Sequence, residues 1–224
     1  RGTVVDRDQQ LRVADGSLVV PATASDFYGT GNTTVPNLVL QDLPDGPFTA
    51  TAKVTVEADA QYQQAGLLIY DGPDDYAKMV LQGRSAPADP ATRIFQFIRE
   101  EGGQPNEVAE SNTAALGADY PSTVYVRFTS TDGTSLNASY SHDGVTFTDM
   151  PQTKSLAGLT DPRIGLVALA GTGSAAPVVD AAFDWFHLPP DDSVATGPDD
   201  EFDGDTLDAC RWFVHREDPA GYRV

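Results

Sequence analysis

The chain has 224 residues, 40% of them hydrophobic, and a formal net charge of −19, enough apolar material for one large all-β domain or two small ones. Its only lysines are Lys53, Lys78 and Lys154, which excludes a phosphate-neutralising patch for nucleic acid or an anionic membrane surface. No apolar run of about 18 residues exists to span a bilayer, and the single cysteine, Cys210, excludes an intrachain disulfide and a CxxC metal site.

The first distinctive stretch, Ser25-Asp26-Phe27-Tyr28-Gly29-Thr30-Gly31-Asn32, reads as a loop running to residue 37. It is either clamped by its own Phe27 or used for binding. Phe48, Ala50, Ala52, Val54 and Val56 recur every second residue, the period of a half-buried strand. Ala65 to Tyr70 and Arg163 to Ala170 are apolar on both faces, as expected of central strands covered on both sides. Between them Arg93, Phe95, Phe97 and Arg99 share one face of a strand, and Glu100-Glu101 runs into Gly102-Gly103, a pattern that reads as a solvated hairpin end. Val124, Val126 and Phe128, then Leu136, Ala138 and Tyr140, form a meander from about Thr123 to Thr148, with Asp132-Gly133 and Asp143-Gly144 where positive φ is needed. In the strand from Val178 to Leu188, Asp180 and Asp184 are expected on the face opposite Val179, Phe183 and Trp185. Residues 189–200 hold prolines, glycine and acids without apolar period and read as a linker. No segment has helical period with caps. Short strands separated by turn dipeptides predict an all-β, two-sheet antiparallel sandwich.

The end of the chain repeats its beginning. Val214 to Val224 is a variant of Val5 to Val13, with Arg223 matching Arg12 at an offset of 223 − 12 = 211 residues. A repeat of that length predicts tandem copies of a whole domain. The division expected is a module over 1–188, a linker over 189–200, and the start of a second copy over 201–224. Because Glu201 to Asp208 has no counterpart before Arg1, the segment 201–212 is expected to pair with the closing strand and complete the sheet of the first copy.

Several segments, in order, resemble the concanavalin A-like lectin/glucanase superfamily, and more narrowly the accessory modules at the C-terminal end of β-xylosidases in secreted actinobacterial glycan-active proteins. They are Glu201-Phe202-Asp203-Gly204 with Arg211-Trp212, Val13 to Leu18, Gln64 to Tyr70 followed by Asp75-Tyr76-Ala77-Lys78, Tyr140 to Phe147, and Ala182 to Phe186. The resemblance implies a jelly-roll-like sandwich, a secreted or cell-surface location, a catalytic partner on the same polypeptide, and first and last strands side by side. It also supports a structural Ca²⁺ at Asp184 and Asp203, with Asp180, four residues before Asp184 on the same strand face, as a third ligand, since calcium takes hard oxygen ligands at about 2.3–2.6 Å. Solvent-exposed acids in an acidic protein would read the same way.

The paired carboxylates that glucan hydrolases of this superfamily place on one strand are missing, and His142, His187 and His215 are scattered. Sugar binding uses aromatic faces flanked by polar side chains. The candidates are Tyr28 and Asn32 in the 25–37 loop, Tyr76, the Arg93-Phe95-Phe97-Arg99 ladder, and Tyr125. The reading is a non-catalytic carbohydrate-binding accessory module with a polysaccharide or oligosaccharide and neighbouring modules as partners. A structural or adhesive spacer repeat is the alternative, and a glycoside hydrolase or lyase of the same fold the third.

Overall fold

The computed structural model describes residues 11–29, 35–84, 92–105, 113–116, 120–172, 177–188, 200–209 and 211–215. Regular structure in them is β, and no helix is long and apolar enough to cross a membrane. The strands are β1 (Arg12–Ala14), β2 (Ser17–Ala22), β3 (Leu38–Asp42), β4 (Phe48–Val56), β5 (Gln64–Gly72), β6 (Asp75–Arg84), β7 (Thr92–Glu101) and β8 (Gln104–Pro105). They continue with β9 (Thr113–Leu116), β10 (Thr123–Ser130), β11 (Ser135–Ser141), β12 (Thr148–Asp149), β13 (Lys154–Ser155), β14 (Arg163–Leu169), β15 (Val179–His187) and β16 (Phe213–His215). One antiparallel sheet runs β1-β2-β15-β4-β10-β11-β12, with β13 also on β11; the other runs β16-β3-β14-β5-β6-β7-β8, with β9 also on β7.

The period-two pattern of β4 and β10 decides which face each sheet turns inward. Phe48, Ala50, Ala52, Val54 and Val56 pack with Val124, Val126 and Phe128 in a core closed from the second sheet by Leu67, Ile69, Met79, Leu81, Phe95 and Phe97. Burying such apolar faces between two sheets is what stabilises a sandwich. The intervening Thr49, Lys53, Thr55, Tyr125 and Arg127 turn outward and are only partly buried.

The outward face of the second sheet is covered too. A second apolar cluster joins Phe27 and Val35 to Leu38, Leu40, Leu68, Tyr70, Tyr76, Val80, Val167 and Leu169, which explains why β5 and β14 are apolar on both faces. Phe27 sits edge-on to Tyr76 at 4.4 Å. Its approach is fixed by Asp26 Oδ1, which accepts from the backbone N–H of Phe27 at 2.8 Å and of Tyr28 at 3.1 Å, an Asx turn. Glu100 lies beneath this strap and is fully buried, contrary to the solvated hairpin end its Gly-Gly neighbours suggest. Its Oε2 accepts from Tyr76 Oη at 2.9 Å and Gly29 N at 3.0 Å. Burial pushes the Glu100 carboxyl up from its ordinary value and also raises the Tyr76 phenol, which faces the Glu100 carboxylate.

Both Asp-Gly pairs sit at turns, and it is the glycines that take positive φ, 74° at Gly133 and 75° at Gly144. The second hairpin is wider than a two-residue turn. Asp143 Oδ1 accepts from Val145 N and Thr146 N, both at 2.8 Å, and Ser141 Oγ accepts from Gly144 N at 3.0 Å. These caps hold 143–147 as a loop, so the return strand begins only at Thr148.

The C-terminal run departs from a simple strand beside β15. Asp200 forms one bridge to Phe186 of β15, with both backbone bonds at 2.8 Å. The chain then crosses the end of the sandwich. Phe202 and Trp212 are buried in the main core, and Phe213–His215 pairs antiparallel with β3 of the other sheet.

Candidate functional site

A β-bulge in β15 creates the most conspicuous feature of the first sheet's outward face. The register to β4 slips between Phe183, opposite Val54, and Trp185, opposite Lys53. Asp184 is the extra residue, and the alternation shifts by one beyond it. Val179, Ala181 and Phe183 face the core before the bulge, and Phe186 and Leu188 after it. Trp185 therefore turns outward with His187, not inward with Phe183 as unbroken alternation requires.

Sheet register then lines up two rows across the strands. Trp185, Lys53, Tyr125 and Ser141 form one, and His187, Thr51, Arg127 and Ser139 the other. The Trp185 and Tyr125 rings, on the strands either side of Lys53, meet at 5.9 Å and 47°, and His187 stacks on Trp185 at 4.1 Å and 17°. Polar groups ring them. Lys53 pairs with Asp184, which also accepts from Ser17 Oγ at 3.2 Å; the Asp184 hydrogen bond raises the Lys53 ammonium above its ordinary value. Arg127 donates from Nε to Thr51 Oγ1 at 3.0 Å and lies 3.5 Å from the Phe147 ring centroid, an Arg–aromatic stack. His187 Nε2 is 2.5 Å from Glu201 Oε1. Trp185, Tyr125 and Phe147 are half-buried, so each ring is held by its neighbours and still meets solvent. Ordered aromatic faces with amine, guanidinium, carboxylate and imidazole groups at their rim suit a ligand that is apolar on its C–H faces and polar at its edges, which is the chemistry of a pyranose.

The residues expected from sequence fall elsewhere, with one exception. Tyr125 lies on this face. The Arg93-Phe95-Phe97-Arg99 ladder faces the core: Phe95 and Phe97 are fully buried, Phe95 stacked on Tyr140 at 4.2 Å. The strand is covered on both sides, so its alternation carries no sign of which face meets solvent. Arg93 is a clamp, reaching Glu57 Oε2 at 2.9 Å, Asp59 Oδ1 at 3.0 Å and Tyr120 O at 2.9 Å. Arg99 bonds Ser155 O at 3.2 Å. Tyr76 is fully buried beneath the Phe27 strap, Tyr28 is 42% exposed on that strap, and Asn32 lies outside the described residues. Unbroken alternation sets Trp185 inward with Phe183, so the pairing of Trp185 with His187 on the outward face is not visible from it. The readable signal was Phe183 and Phe186, two apolar residues three apart in a strand, a spacing that only a bulge brings to one face.

The proposed calcium ligands are not brought together. Asp180 bonds Arg12 at 2.6 Å, Asp184 pairs with Lys53, and Asp203 is exposed on the C-terminal run. Among the described residues no three His, Cys, Asp or Glu side chains form a metal-holding group. Cationic side chains lie against two of the three carboxylates.

The two antiparallel sheets packed face to face are a concanavalin A-like β-sandwich. Residues 10–188 match the family model of the β-xylosidase C-terminal concanavalin A-like domain, and the chain belongs to that family. Among solved structures, the xylan β-1,4-xylosidase of Bacillus halodurans C-125 aligns with a TM-score of 0.63 at 16% identity over 78% of this chain and 33% of that one. The GH43 protein BlXynB of Bacillus licheniformis aligns at 0.60 and 18% over the same shares. A functionally unknown protein from Saccharomyces cerevisiae aligns at 0.58 and 13%, over 83% of this chain and 98% of its own. At these identities the likeness is one of fold, and the chain spans about a third of the length of the two bacterial structures. No curated protein matched it.

Proposed function

We propose that this chain is a non-catalytic carbohydrate-binding accessory module of a secreted, glycan-active protein, and that the glycan lies across Trp185 and Tyr125. The observation that carries the reading is the bulge at Asp184, which sets Trp185 on the outward face beside Tyr125. Keeping a tryptophan half-exposed by breaking the strand's alternation costs ladder hydrogen bonding, which supports the reading that the displaced ring serves a contact. Xylan is the first glycan to test, because family members are the C-terminal domains of β-xylosidases. A shallow two-ring platform should bind weakly, with a Kd of about 0.1–1 mM, since a few stacking contacts barely offset the freedom lost on association.

Affinity electrophoresis through gels containing xylan, β-glucan, arabinan or chitin derivatives tests the proposal. Retardation is expected in at least one gel. Trp185→Ala should reduce it by about tenfold, equivalent to about 1.4 kcal/mol. If no gel retards the protein, the spacer reading replaces this one. If Trp185→Ala is retarded as strongly as the parent, binding stands and the site is elsewhere.

A further inference from the structure

The C-terminal run is built into the sandwich more thoroughly than a linker requires. It holds both sheets at once, through the Asp200–Phe186 bridge on one and β16 against Leu38–Leu40 on the other. Between these anchors Trp212 is 4% exposed and meets Phe186 edge-on at 5.2 Å and Phe202 at 5.8 Å. Its indole Nε1 donates to Asp200 Oδ2 at 2.6 Å, and the same carboxylate accepts from Phe202 N through Oδ1 at 2.9 Å. Asp200 thus fastens both ends of one small aromatic knot.

The same run leads directly into the repeated sequence. Val214 to Val224 matches Val5 to Val13, and Arg223 is the counterpart of Arg12, where β1 begins. We propose that residues 200–215 are a clasp between consecutive copies of the module: the segment that leads into each copy docks across the end of the copy before it. Arg223 is eight Cα-to-Cα steps beyond His215 (223 − 215 = 8), a reach of at most about 26–29 Å. The seven strands along one sheet's path span about 29 Å at the usual strand spacing. The next copy is therefore held within one sheet's width of the clasp, and on this proposal tandem copies tumble as one body.

The test uses a two-copy chain, residues 1–224 continued by Ala14–Val224 of a second copy. Its rotational correlation time should be that of a single body of the combined mass. Trp212→Ala in the intermodule segment should lower it about twofold, because each copy then tumbles at half the mass. With that Trp212 as the only indole, the others being replaced by Phe, its quenching by acrylamide should rise severalfold when Phe186→Leu is made in the first copy. The same change in the second copy should leave it unaltered. Phe186→Leu keeps an apolar side chain in the core, so each copy stays folded. Independent tumbling of the unsubstituted two-copy chain, or no change on Trp212→Ala, would overturn the proposal. So would a response to the second-copy substitution, since the segment would then dock forward onto the copy it leads into.

Discussion

Trp212→Ala should lower the melting temperature of the 224-residue chain by about 6–20 °C. The substitution removes a buried indole from between Phe186 and Phe202 together with its hydrogen bond to Asp200. Trp-to-Ala changes in cores cost about 3–5 kcal/mol, and a domain of 150–250 residues loses about 2–4 °C per kcal/mol. Because the run is terminal, it can detach once the indole is gone. The loss is then limited to its whole docking energy, and the fall should settle at a plateau that deletion of 200–224 reproduces. Trp212→Phe separates the two contributions, since the ring stays and only the N–H is lost. That leaves Asp200 with Phe202 N and the nearby Arg211 guanidinium at 3.8 Å, so about 1–3 kcal/mol is expected. Differential scanning fluorimetry with an external dye reads all three proteins. A melting temperature for Trp212→Ala within about 2 °C of the parent would mean that the run contributes nothing to the fold and would refute the reasoning.

Other consequences follow from the buried polar groups and the surface. Burial raises the Glu100 carboxyl above its ordinary value of 4.5. The folded state therefore binds the extra proton, and the stability from the neutral acid is complete below pH 4.5 and is lost as pH climbs through the raised value. Glu100→Gln should flatten the fall of melting temperature across that window; an unchanged pH profile would show that the carboxyl titrates normally. Arg12 and Lys53 already hold Asp180 and Asp184, so EDTA should shift the melting temperature by no more than about 1 °C, and a drop of several degrees would bear out the calcium expectation. Tyr28 lies on the strap over the second sheet, whose cluster includes Phe27, so Tyr28→Ala should leave glycan affinity unchanged, and a loss would move the site to that sheet.

Much of the architecture was legible because one face of each β4 and β10 is apolar at every second position. The doubly apolar β5 and β14 also announced a layer on both sides, although only the structure identifies Phe27 and Val35 as part of that layer. The ladder of β7 misled for the same physical reason. Ile94, Ile98 and Glu100 on its other face are buried as well, so alternation there distinguishes two interiors and not an interior from a surface. Glu100 was hidden by its sequence neighbours, since Gly102-Gly103 marks a turn but says nothing of a strap arriving from residues 26–29. The candidate site was half legible. Tyr125 stands in a clean alternation, whereas Trp185 is carried outward by a single extra residue, and a one-residue slip sends every later side chain to the opposite face.

The most direct measurement is an NMR titration following the indole N–H resonances. The chain has two tryptophans, one half-buried on the outward face beside Tyr125 and one deep in the knot with Phe186, so each serves as the other's control. Added xylo-oligosaccharide, or the oligosaccharide of whichever glycan retards the protein, is predicted to shift the Trp185 resonance with a saturating curve while the Trp212 resonance stays in place. Binding that leaves Trp185 unmoved, or that moves Trp212 alone, would contradict the account.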